Sequence, residues 1–275
     1  MNRRRMLQSA ALALCPAACE KKQRLIPPFV TLTELAVALR AGETTPQLLV
    51  EHFLERIAQI DKSGPRLNAI LELNPHVRAS TVHCKAGPLH GLPILIKDNI
   101  ETADAMQTTA GSLALRNHKP QHDAALVTRL REAGAILLGK TNLSEWANIR
   151  SPNSTSGWSA RGGLTRNPHK LTHSASGSSS GSAAAVAAGL APAAIGTETN
   201  GSIVSPASAC GIVGFKPTVG LISGSGIIPI THHQDTAGPM TLTVRDAALL
   251  MRVLANGFSA ELPADALKGA RLGVL

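Results

Sequence analysis

Residues 174–182 read SASGSSSGS, six serines and two glycines in nine positions, and run straight into AAAVAAGL. Three kinds of chemistry use so many hydroxyls and so little side chain. A flexible Gly/Ser connector has this composition, but an apolar helix directly behind it and hydrophobic segments on both sides argue against a linker. A phosphate cradle would need G-x-x-x-x-G-K-[ST], and no lysine follows here. A nucleophile turn is the third: GSSSG matches G-x-S-x-G around Ser179, and the chain's ten histidines could supply a base. That turn must follow a buried strand, and the preceding NPHKLTHSA does not read as one. Cysteine chemistry is sparse. Apart from Cys15 and Cys19 near the N-terminus only Cys84 and Cys210 remain, too few for a disulfide framework or a zinc site.

The elements that must position these residues are legible from periodicity. Thr45 with Pro46 is a cap and first helical position, and Leu49, Phe53, Ile57 and Ile60 then share one apolar face. NAILEL is strand-like, and GLPILIKDN has the unbroken branched apolar run of a strand buried on both faces. Asp123 is placed to cap AALVTRLREAG, which ends at Gly134 and leads into a second buried strand, AILLG. The order repeats: SAAAVAAGL as helix, Gly189 and Pro192 as stops, APAAIG as strand, TETNGS as loop. Thr243 starts a last amphipathic helix, VRDAALLMRVLANG. Strands alternating with helices predict an α/β layered domain.

Composition narrows the function classes. The chain has 275 residues, 44% of them apolar, enough for a substantial core. Its net charge of +9 is unevenly spread: residues 1–24 carry six cations and one acid, leaving an ordinary +4 for the rest. With aromatic residues at 2%, a nucleic-acid-binding role is not expected. No long apolar run occurs beyond the N-terminus, so no internal membrane span is expected. The first residues, NRRRMLQSAALALCPAAC, order arginines, a short apolar stretch and small residues as an export signal does. Arg3-Arg4 before Met6-Leu7-Gln8 also fits the twin-arginine pattern. The expectation is an export signal over residues 1–19, one domain over 20–275, and a periplasmic or secreted protein, cytoplasmic if the leader does not work. Cys19 is a candidate for lipidation, and a merely basic tail is the alternative reading of the leader.

Taken together with the residues on its C-terminal side, the serine tract becomes specific. From Gly177 to Thr218 the chain runs GSSSGSAAAVAAGLAPAAIGTETNGSIVSPASACGIVGFKPT. This resembles the signature segment of the amidase signature family: a Gly-Ser-Ser turn, an Ala-rich helix, a GTD/E-x-x-GSI loop and a final G-x-KPT. GPLHGLPILIKDNI resembles the family's lysine-bearing strand, and LGKTNLSEWAN and DTAGPM are further landmarks. The resemblance covers essentially the whole chain after the leader. It implies a mixed central β-sheet flanked by helices on both faces, and a cofactor-free, metal-free serine amidohydrolase working through an acyl-enzyme.

The resemblance also implies residue roles. Ser202 in NGSI aligns with the acylated nucleophile, Ser178 with the bridging serine that comes after a cis peptide bond, and Lys97 with the base. It assigns the oxyanion donors to the backbone of Thr199, Asn200, Gly201 and Ser202. The chemistry is coherent. A serine hydroxyl needs a base, and a lysine can be that base only when burial has made it neutral. On sequence pattern alone, a strand-end lysine reads instead as solvated. Departures from the commonest family pattern are Ser176, Ser180 and Asn200 in place of Gly, Glu198 in place of Asp, and Val204 in place of Arg. They resemble the bacterial peptide amidase branch, which implies hydrolysis of a peptide C-terminal carboxamide to acid and ammonia. A different acyl group, such as an aryl or fatty amide, is the alternative within the family. A transamidase role in the cytosol is at odds with an export leader. Family enzymes continue well past GARLGVL, so the resemblance also carries the expectation that the chain lacks a C-terminal part. On that expectation a catalytically silent remnant is the alternative from another class.

Overall fold

The structure is a computed structural model that describes residues 26–271 and 273. The leader, with its arginine pattern, Cys15 and Cys19, lies outside the described residues. The first helix, α1 (Leu32–Arg40), is closed by a capping box in which Thr31 and Glu34 bond each other's backbone N–H. The second, α2 (Pro46–Arg56), starts as its sequence predicts, with the Thr45 hydroxyl accepting from Leu48 N–H and Leu49, Phe53 and Ile57 fully buried.

The remaining elements in chain order are β1 (Ile70–Leu73), α3 (Val77–His83), β2 (Pro93–Lys97), α4 (Ala125–Glu132) and β3 (Ile136–Thr141). A two-strand ribbon comes next, β4 (Trp158–Ser159) with β5 (Gly163–Leu164). Then come α5 (Ser180–Ala187), β6 (Ala193–Glu198), α6 (Val204–Cys210), β7 (Val213–Gly214), β8 (Thr236–Thr241) and α7 (Val244–Leu254). Six strands make one mixed sheet in the order β1-β3-β2-β6-β8-β7. Its centre is parallel, β3 and β6 flanking β2, while β1 runs antiparallel to β3 and β8 antiparallel to β6. This is the mixed α/β sheet that the resemblance implied.

Every residue of β2, β3 and β6 is buried, as their continuous apolar runs require of strands covered on both faces. Helix α5 has no polar face because it is buried all round. One expectation fails. Helix α4 is capped at Ala124, and the Asp123 carboxylate instead accepts from Ala103 N–H (2.7 Å) and Arg131 Nε (2.9 Å). An aspartate with an arginine within reach gains a charge-assisted bond stronger than an ordinary cap.

Candidate active site

Lys97, the last residue of β2, is completely buried. Its Nζ lies 2.8 Å from Ser178 Oγ, 2.9 Å from Thr197 Oγ1 and 3.2 Å from Thr197 O. Burial lowers its pKa from 10.5 to about 7, against the opposing charges of Asp235 and Glu198. A lysine there exchanges its proton near neutrality. Neutral, it can donate to the two Thr197 oxygens and accept from the Ser178 hydroxyl.

The six serines of the turn and the first residues of α5 have distinct duties. Ser174 Oγ accepts from Ser176 N–H, and Ser176 Oγ pairs with Ser205 Oγ at 2.7 Å. Ser178 meets the lysine. Ser179 Oγ donates to Thr197 O (3.1 Å) and accepts Thr197 N–H (3.2 Å), clipping the turn to β6. Ser182 pairs with Thr141 Oγ1 and Ile195 O. Ser180 is buried without a side-chain partner among the described residues. Ser179, the residue a nucleophile elbow would need, is thus fully buried and occupied by backbone. The Gly177–Ser178 peptide is cis. Gly181 has a steric reason: a Cβ there would come within 2.4 Å of the Ala69 and Asn142 carbonyl oxygens, so only glycine lets α5 start against the ends of the neighbouring strands.

The loop after β6 carries Thr199, Asn200, Gly201 and Ser202. Glu198 closes it, its carboxylate accepting from the N–H groups of Gly201 (2.7 Å), Ile203 (2.7 Å) and Val204 (3.0 Å) at the start of α6. Gly201 takes φ 81°, a conformation open to glycine at little cost. Lys216 Nζ holds the Thr199 carbonyl at 2.7 Å. The Gly201 N–H is therefore engaged, whereas the N–H groups of Asn200 and Ser202 donate to no protein acceptor among the described residues.

A cavity of about 320 Å³ opens at this point. Ser178, Thr197, Thr199 and Ser202 form its polar end, and an apolar wall runs from Val219 to Ile230. Ser178 and Ser202 thus border one space, although no hydrogen bond joins their hydroxyls. Asn200 and Gly201 lie in the loop behind and do not border it. Sequence reading missed the supports: Thr197, which holds the lysine; Asn99, whose Nδ2 donates to Thr197 Oγ1 (3.0 Å); and Lys216 and Asp235. Among the described residues no cluster of His, Cys, Asp or Glu is placed to hold a metal, and no helix is long and apolar enough to cross a membrane.

The profile of the amidase family matches residues 48–268. The chain is 52% identical to the peptide amidase of Stenotrophomonas maltophilia, with a TM-score of 0.80 over 90% of this chain and 51% of that one. It is 41% identical to a probable amidase of Arabidopsis thaliana, over 89% of this chain and 53% of the relative. An amidase family protein of Bacillus anthracis is similar at 41% identity and a TM-score of 0.80, over 84% of this chain and 47% of that one. The chain thus spans about half the length of the relatives it matches. With the family profile matched over most of the chain and the sheet shared with solved relatives, the chain belongs to the amidase signature family.

Proposed function

We propose that this chain carries the acyl-transfer chemistry of a serine amidohydrolase that cleaves a carboxamide, a peptide C-terminal amide by its similarity to the peptide amidase, to acid and ammonia. The observation that carries the reading is the buried Lys97 amine, 2.8 Å from Ser178 at a cavity that Ser202 also borders. In this reading neutral Lys97 takes the Ser178 proton while Ser178 takes that of Ser202. Ser202 Oγ bonds to the carboxamide carbon, and the C–N bond then breaks as Ser178 gives its proton to the departing nitrogen and recovers one from Lys97, which is neutral again. Water repeats the sequence on the acyl-enzyme and releases the acid. The two serine hydroxyls must close up for this, as catalytic hydrogen bonds do when substrate binds.

The oxyanion would face the loop from Thr199 to Ser202, with the Asn200 and Ser202 N–H groups unengaged and that of Gly201 released only if Glu198 lets it go. The arginine pattern of the leader supports export. A reporter that works only when exported folded, fused to residues 1–30, should be active, and replacing Arg3 and Arg4 by lysine should silence it.

A serine-reactive phosphonate tests the site. Mass spectrometry should place the adduct on Ser202, and Ser202→Ala should abolish it. Label on Ser179 that depends on a histidine would overturn the reading in favour of a nucleophile elbow.

A further inference from the structure

Asp235, the residue just before β8, takes no part in the chemistry above, yet three donors converge on its carboxylate. Oδ1 accepts the Thr199 hydroxyl, and Oδ2 accepts the N–H groups of Ile230 (2.7 Å) and Thr231 (3.0 Å). Its own N–H donates to Thr231 O at 3.1 Å. Thr199 starts the loop that carries Ser202, and Ile230 ends the apolar wall of the cavity, which Asp235 also borders. The next residue belongs to the sheet, where Thr236 pairs with Glu198. The wall has a second anchor at Asn99, which exchanges two bonds with Ile228 (N–H to Asn99 O at 2.8 Å, Asn99 Nδ2 to Ile228 O at 3.3 Å).

We propose, resting on the amidohydrolase reading, that Asp235 is a positioning residue that ties the nucleophile loop to the acyl-binding wall. It joins the surface that receives the substrate to the residues that attack it. A bond to a charged acceptor is roughly twice as strong as a neutral one, and Asp235 makes its bonds to two segments at once. The two parts of the site therefore hold one relative geometry, the preorganisation that catalysis needs.

The same carboxylate has an electrostatic consequence of opposite sign. Asp235 and Glu198 are the acids whose charge favours protonated Lys97. Glu198, at the end of β6, is engaged by three backbone N–H groups and has Lys216 at 3.9 Å. From the α5 side Lys97 meets only the Ser178 hydroxyl. Asp98 and Lys140 belong with Arg161 to a separate cluster beyond β2, and His232 borders the cavity from the Asp235 loop. Asp235 thus holds the loop in place while making Lys97 harder to deprotonate.

The test measures the phosphonylation rate of Ser202 against pH in the whole chain, for wild type, Asp235→Asn, Asp235→Ala, Thr199→Val and Asp235→Ala with Thr199→Val. Asn can keep both N–H bonds through its oxygen and give its amide N–H to the Thr199 hydroxyl, but it has no charge. Asp235→Asn should therefore retain most of the alkaline plateau and move the midpoint of the acidic limb to lower pH, a shift that a merely structural role would not produce. Asp235→Ala should lower the plateau at least tenfold, and the double variant should be no slower than Asp235→Ala, since both remove one tie. A plateau within twofold of wild type in Asp235→Ala would overturn the proposal, as would an unmoved midpoint in Asp235→Asn or additive losses in the double variant. These outcomes leave the amidohydrolase reading standing if labelling still depends on Ser202. Labelling that survives Ser202→Ala would instead remove that reading, and this proposal with it.

Discussion

Lys97 and Lys140 stand on adjacent parallel strands one step apart in register, Ile96 facing Lys140 and Lys97 facing Thr141. Both are completely buried, and burial lowers both, to about 7 for Lys97 and about 8 for Lys140. Their surroundings differ. Lys97 meets Ser178 and Thr197 at the edge of a cavity. Lys140 Nζ bonds the Ile100 carbonyl and the Thr108 hydroxyl (2.8 Å), and Asp98, Asp104 and Glu72 supply its compensating charge. Asp98 in turn is bridged by Arg161 at 3.2 Å. Burial alone therefore does not make a lysine a base. A hydroxyl that can give up its proton at an open cavity suits Lys97 for catalysis, whereas a buried carbonyl and hydroxyl with carboxylate charge nearby make Lys140 a structural cation.

The sharpest way to break this comparison is to remove each amine in turn. Lys97→Met should lower the Ser202 phosphonylation rate by about 10³-fold, within the usual range for losing a general base. Lys140→Met should leave the rate per folded molecule within about tenfold of wild type. The second contrast is in stability. Lys140→Met removes part of the charge that offsets the buried Asp98, which keeps Arg161, and should cost about 1–3 kcal/mol in urea unfolding, the usual range for stranding a buried polar partner. Lys97→Met, which removes the amine that burial drives further below its ordinary value, should be at least as stable as wild type below pH 7.

A smaller effect is spread over both residues. Each amine has a folded pKa below its ordinary 10.5, so the unfolded chain binds protons at these positions that the folded chain does not. Stability should rise with pH from about 7 towards 10. Urea midpoints at pH 7, 8 and 9 should increase, and each Met variant should flatten part of the rise. A midpoint that does not rise over that window would mean that the amines stay charged in the fold. The smallest change is Thr197→Val, which deletes one acceptor of the Lys97 amine and leaves the Asn99 amide without its Thr197 bond. It should cost about 1–2 kcal/mol and slow phosphonylation by about tenfold, with Lys140 untouched.

The two lysines also mark what the sequence could show. PILIK and ILLGK are both apolar runs ending in lysine, and their pattern predicts the strands correctly but does not separate the amines. Only the family motif singled out Lys97. The buried strands and helix α5 were legible because a surface covered on both faces needs an unbroken apolar run. Strand β8 was not, because Gly238 and Pro239 interrupt it where a strand should read as continuous. Asp123 was misread because the arginine that claims it lies eight residues on, a competition that cap rules do not weigh. Thr197, Asn99, Lys216 and Asp235 all lie within the quoted family segments, but nothing in those segments assigns them a role. They act by reaching across the sheet, at separations only the fold brings together.

The central claim is that Lys97, neutral near pH 7, is the base for Ser202 and Lys140 is not. The most direct test is the phosphonylation rate of Ser202 from pH 5 to 9 in wild type and Lys140→Met, with the adduct located by mass spectrometry at each pH. The account predicts a rate that climbs about tenfold per pH unit below about 7, levels off above it, and keeps that midpoint when Lys140 is replaced. A flat profile across the range, or a midpoint that moves by more than a unit in Lys140→Met while Lys97→Met still labels, would contradict it.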